Sequence, residues 1–79
     1  MGATGLSTAF AEVVREQRAK RGLSQEDLAH DAGLHRTYVG LIERGLRNPT
    51  IEAAHALALA LDTTLSDLIR RAERRLGRR

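Results

Sequence analysis

The sequence predicts an all-α fold, a compact domain of five short helices, and three observations carry that expectation. The chain has 79 residues with one proline, Pro49, and two aromatic rings, Phe10 and Tyr38, so helix-forming residues dominate it. Gly22, Gly33 and Gly45 each follow a stretch whose apolar residues recur at helical spacing. Ser24, Thr50 and Thr64 each stand just before such a stretch, where a side-chain oxygen can cap a helix. The length allows one domain, and a chain of this size buries only about 60% of the surface its unfolded form exposes, so self-association would help it.

The first helix is expected to start at a Ser7 cap and run to about Arg21, with Phe10, Val13, Val14 and Gln17 on one stripe. Residues 1–6 are read as a flexible N-terminus. Ser24 begins a second helix with Asp27 at its third position, an acidic capping box; Leu28, Ala29 and Ala32 face inward until Gly33 stops it. Residues 36–44 form a short third helix with Val39 and Ile42 on its buried stripe, closed by Gly45. Leu46 to Pro49 is a loop. Thr50 then caps a fourth helix reaching Leu61, whose core face is Ile51, Ala54, Leu57, Ala58 and Leu61. Thr64 and Asp67 repeat the capping pattern before a fifth helix striped by Leu65, Leu68, Ile69, Ala72 and Leu76. The folded domain therefore spans 7–76, leaving 77–79 as a basic end.

Composition removes several function classes. Without cysteine there is neither a disulfide nor a thiolate metal site, which suits an intracellular protein. The longest apolar run, Ala56 to Leu61, is far short of the roughly 20 residues that span a bilayer, and no basic segment precedes an apolar one at the N-terminus, so the chain reads as cytoplasmic with no membrane partner. His30, His35 and His55 lack metal-ligand spacing, Ser24 and Ser66 fit caps, and no glycine-rich phosphate loop follows a strand. Neither an enzyme, a metal, a cofactor nor a small-molecule ligand is indicated.

The informative stretch is Gln25 to Arg44, within a helix-turn-helix at about 24–44. Ala29 is small where two helices must approach, Gly33 permits a positive-φ turn, and Leu28, Ala32, Leu34, Val39 and Ile42 point to a shared core. Arg36, Thr37, Gly40, Leu41 and Arg44 are then left facing outward. A donor-rich exposed helix of this kind fits the major groove of double-stranded DNA, about 12 Å wide.

From about Phe10 to Ile69 the chain resembles the lambda-repressor-like (Cro/Xre-type) helix-turn-helix domains, which have five helices. The segment Arg36-Thr37-Tyr38-Val39-Gly40-Leu41-Ile42-Glu43-Arg44-Gly45, followed by Arg47-Asn48-Pro49-Thr50, is especially similar to the controller proteins of restriction-modification systems. Toxin-system antitoxins carry similar Ile-Glu-Arg-Gly and Asn-Pro-Thr segments. The resemblance implies a DNA-binding transcription regulator in which Arg36, Thr37 and Tyr38 meet bases or nearby phosphates. Arg36 can donate two bonds to guanine O6 and N7, worth about 1 to 3 kcal/mol of discrimination, and Thr37 and Leu41 can meet a base edge or thymine methyl. Arg36 also stands at the first helical position, where the helix dipole disfavours a cation, so a partner explains it well. Tyr38 reads either as a DNA contact or as a partly packed ring with its hydroxyl in water.

The same resemblance makes Gln25 a phosphate ligand at the start of the second helix. Arg44, Arg47 and Asn48 flank the groove and are assigned to the DNA backbone; Asn48 alternatively shapes the turn before Pro49. Gly40 costs a helix about 0.8 to 1.0 kcal/mol relative to alanine, which reads as close DNA approach or as drift. Glu43 is an awkward acid beside a phosphate, and the family pattern supplies Arg18 as its salt-bridge partner.

Leu59 lies roughly opposite Leu57 and Leu61 on the fourth helix, near Ala56. With Leu65 and Ile69 it suggests an isologous homodimer that sets two recognition helices about 34 Å apart and reads an inverted repeat. An isolated exposed leucine is the alternative. The net charge of +3 conceals six arginines, at 70, 71, 74, 75, 78 and 79, against Glu73 in the last ten residues. They can contact distal phosphates, face the partner subunit, or complement their own helix end and fray, and the last is favoured. The competing functions are an antitoxin-type autoregulator and a protein-interaction module on the same fold.

Overall fold

The computed structural model describes residues 5–77, and among these the elements are five helices: α1 (Leu6–Lys20), α2 (Gln25–Ala32), α3 (Arg36–Glu43), α4 (Ile51–Ala60) and α5 (Leu65–Leu76). Expectations for residues 1–4, Arg78 and Arg79 lie outside the described residues. The start of α1 corrects the reading of Ser7 as its cap: Gly5 stands at the N-cap with φ 52° and no side-chain cap bond, and Ser7 falls inside the first turn. The positive-φ residue turns the chain into the helix before Ser7 reaches the capping position.

Later helices begin where their side chains dictate. Ser24 Oγ accepts from the Asp27 N–H at 2.9 Å while Asp27 Oδ2 accepts from the Ser24 N–H at 3.1 Å, completing the capping box. Thr50 and Thr64 each accept, at 3.0 Å, from the N–H three residues on, those of Ala53 and Asp67. Each such cap contributes about 1 kcal/mol.

Inward stripes of all five helices meet in one core, whose largest fully buried side chains include Val13, Val14, Leu28, Val39, Ile42, Leu57 and Leu68. Burying each contributes about 1.5 to 3 kcal/mol. On α4 the inward set is Ala53, Ala54, Leu57 and Ala58, followed by Leu61, whereas Ile51 is 75% exposed, against expectation. At 100° per residue Ile51 stands about 90° from the centre of that arc. Because it also occupies the open first turn of α4, α1 and α5 only flank it.

The arginines of α5 do not simply fray, as favoured above. Arg71 donates to Asp67 at 2.9 Å, Arg70 lies 3.6 Å from the same carboxylate, and Arg75 reaches back to Glu12 at 3.6 Å and Glu16 at 3.1 Å on α1. The hydrogen bond from Arg71, then that from Thr63 and the charges of Arg71 and Arg70, hold the Asp67 carboxyl below the usual carboxylate range. A depressed carboxyl stabilises the fold above its unfolded-state pKa, and that contribution is lost as pH falls through the folded value. Asp67→Asn should therefore flatten the acid limb of a melting-temperature profile taken from about pH 7 to 3; an acid limb as steep as the parent's would count against this assignment.

Candidate nucleic-acid interface

The link between α2 and α3 sets the angle of the third helix. Gly33 adopts φ 69°, its N–H bonds the His30 carbonyl at 3.1 Å, and the Leu34 N–H bonds that of Ala29 at 2.9 Å. This left-handed stop redirects the chain within three residues, Gly33 to His35, and Leu28, Ala29, Val39 and Ile42 then lock the two helices together. One long face of α3 is thereby committed to the core.

Its remaining face carries Arg36 and Thr37, both exposed, with Tyr38 and Leu41 half-buried and Arg44, Arg47 and Asn48 exposed beyond. The Arg36 guanidinium lies 3.4 Å from the exposed carboxylate of Glu26 on α2, a weak surface pair that a better partner can displace. Arg44 Nε donates to the Gly40 carbonyl at 3.2 Å. Gly40 itself does not face outward: it is buried, and a Cβ there would stand 3.4 Å from Gln25 Oε1. The close approach at Gly40 is therefore made by the first turn of α2.

Two assigned side chains have work inside the protein. Tyr38 packs against the core, and its Oη, read either as meeting DNA or as lying in water, accepts from the Thr50 N–H at 3.2 Å, while Arg47 stacks 6.0 Å from its ring centroid. The ring thus ties α3 to the start of α4 and gives Arg47 a platform. Gln25, read as a phosphate ligand, donates from Nε2 to Glu43 Oε1 at 3.0 Å, so one of its two amide hydrogens is committed inward.

Glu43 is the buried acid among the described residues, its side chain 1% exposed. Arg18 grips it with two parallel bonds, Nε to Oε2 at 2.8 Å and Nη2 to Oε1 at 3.0 Å, while Nη1 holds the Leu23 carbonyl at 2.8 Å. Arg15 adds a bond to the Glu43 carbonyl at 3.1 Å. The hydrogen bond to Glu43 and its charge outweigh partial burial and keep Arg18 more firmly protonated than usual. Through this junction α1 holds the C-terminal end of α3.

Sequence reasoning missed one residue at the start of α3. His35 is the N-cap of that helix, with Nδ1 accepting from the Thr37 N–H at 3.2 Å. Its position immediately before the first helical residue was the available clue, masked because imidazole is a less usual cap than serine or aspartate.

On another side of the domain, Leu59 is 62% exposed and Ala56 is half-buried. Leu65 and Ile69 are half-buried and line an apolar groove of about 150 Å³ together with Leu6, Phe10, Ile51 and Ala54. No helix among the described residues is long and apolar enough to cross a membrane.

A helix-turn-helix family profile matches residues 14–68. The control protein C.SmaI of Serratia marcescens is 49% identical over 62 residues, which cover 78% of this chain and 74% of that protein. Among solved structures, the restriction-modification controller protein C.AhdI from Aeromonas hydrophila is 45% identical with a TM-score of 0.76, covering 78% of this chain and 94% of that one. The controller protein C.Esp1396I, solved as a tetramer in complex with its natural 35 base-pair operator, is 29% identical with a TM-score of 0.85 over 92% of this chain and 96% of that one. The left-handed turn at Gly33, the α3 face left outside the core and these likenesses lead to one conclusion: the chain belongs to the Cro/Xre-type helix-turn-helix family, where its relatives include the restriction-modification controller proteins.

Proposed function

We propose that this protein is a sequence-specific DNA-binding transcription regulator of the controller kind, which binds an inverted-repeat operator as a homodimer in the cytoplasm. The observation that carries the reading is the polarity of α3: Val39, Ile42 and Glu43 are buried while Arg36 and Thr37 are exposed at its N-terminal end. Entering the major groove by that end, Arg36 meets a guanine edge, Thr37 a neighbouring base edge and Leu41 a thymine methyl. Arg44, Arg47 and Asn48 follow α3 and take flanking phosphates, with Arg47 aligned by the Tyr38 ring. Tyr38 serves the reading surface through that alignment, and Gln25 marks the α2 N-terminus, whose free N–H groups suit another phosphate.

The homodimer is built on Leu59, Ala56, Leu65 and Ile69. Ile51 extends this surface: it lies eight residues before Leu59 on α4 and shares the groove with Leu65 and Ile69. A two-fold contact there buries apolar area on both copies and sets the two α3 helices about one turn of DNA apart, roughly 34 Å. The role is binding, not catalysis.

Selection from a random duplex pool tests the reading. It should enrich a short inverted repeat bound in the nanomolar range, with affinity falling steeply as salt rises. A pool that stays random after several rounds would refute specific recognition. Leu59→Glu should shift sedimentation toward the monomer mass, and an unaltered mass distribution would remove α4 from the interface.

A further inference from the structure

We infer that His35 is a positioning residue for DNA reading, and that it performs this task only while its imidazole is unprotonated. The inference rests on the proposed DNA-binding function. Its basis is a single contact whose chemistry is restrictive: Nδ1 accepts the Thr37 N–H at 3.2 Å. An imidazole nitrogen accepts a hydrogen bond only when it carries no proton, so the capping ring is the neutral tautomer with its hydrogen on Nε2.

The site makes the cap consequential. α3 is eight residues long, barely two turns, so its first turn has little helix behind it. That turn carries the exposed pair Arg36 and Thr37. No acidic residue lies in it to offset an added positive charge. Serine, threonine, aspartate and asparagine cap without titrating near neutrality; imidazole changes charge between about pH 5 and 8. Protonation here removes the acceptor and sets a cation against the positive end of the α3 dipole. Both effects act in one direction, toward fraying of the turn that presents Arg36 and Thr37.

The charged groups on the adjoining segments are Arg36, which follows the cap on α3, Glu26, His30 and Asp31 of α2, and Arg47, which stacks on the Tyr38 ring three residues after the cap. Glu26 is engaged with Arg36 at 3.4 Å, and Asp31 lies 3.6 Å from His30. His35 is exposed to solvent.

An imidazolium at this place would also attract DNA phosphates, which strengthens binding to every sequence. The diagnostic quantity is therefore the ratio of affinities for the selected inverted repeat and a random duplex at constant salt. Generic phosphate attraction largely cancels from that ratio, whereas loss of the reading geometry lowers it.

The ratio should fall about fivefold per half-site between about pH 7.5 and 5.5, the equivalent of one lost cap. His35→Asn keeps a capping acceptor that does not titrate, and should hold the ratio level across the range. His35→Ala should lower it at every pH. A parental ratio that is constant with pH, or an equal fall in His35→Asn, overturns the inference. A separate arm needs no DNA: in NMR spectra of the free protein, the Thr37 amide proton should titrate together with the His35 ring. An amide that ignores the ring's titration overturns the cap itself, whereas failure of the pool selection alone strikes the proposed function.

Discussion

Arg18→Met should lower the unfolding free energy in urea at pH 7 by about 3 to 5 kcal/mol, the range found when a buried ion pair loses one member. The variant leaves the Glu43 carboxylate, 1% exposed, with Gln25 as its remaining side-chain hydrogen-bond donor. Most of the effect is stranded charge, so adding Glu43→Leu to the same chain should recover the larger part of the loss. A cost below about 1 kcal/mol for Arg18→Met would mean the pair behaves like an exposed one. The same logic governs DNA data: any binding defect of an Arg18 or Glu43 variant should track its unfolded fraction. Neither side chain has to touch DNA for its replacement to abolish binding, because together they anchor the end of α3 to α1.

Arg36→Ala should do the reverse, leaving stability nearly intact while erasing part of the sequence preference. Its pairing with Glu26 is exposed and long at 3.4 Å, so its loss should change unfolding by less than about 1 kcal/mol. A bidentate guanine contact supplies about 1 to 3 kcal/mol of discrimination per half-site. The affinity gap between the enriched repeat and one changed at a single guanine should shrink accordingly, as read in competition shift assays. Arg47→Ala should weaken all duplexes alike and reduce the slope of log affinity against log salt by about one. An Arg36→Ala protein that retained full discrimination would remove Arg36 as the base reader, and the preference would have to reside in Thr37 and Leu41.

The contrast between these two arginines follows from their surroundings. Arg18 meets a carboxylate already withdrawn from water, and α1 and α3 are fixed by the meeting. Arg36 stands on the solvent side of α3, where water competes with Glu26 for its guanidinium. Its chemistry is therefore available to a base edge.

Sequence alone determined the number and order of helices, because the caps at Ser24, Thr50 and Thr64 and the stop at Gly33 act through bonds spanning three to five residues. Apolar spacing likewise identified the inward sides of α2 and α3, and the family resemblance supplied the Arg18–Glu43 pair. Tertiary structure alone decided whether each flanking side chain was covered. Among the described residues Ile51 stays exposed at the first turn of α4, Gly40 goes in because Gln25 closes over it, and Tyr38 turns its hydroxyl to Thr50 across twelve residues. Arg75 finds Glu16, fifty-nine residues away in sequence, by the same route. Local bonds are written in adjacent letters, whereas burial and long-range pairing depend on which helices come to lie side by side.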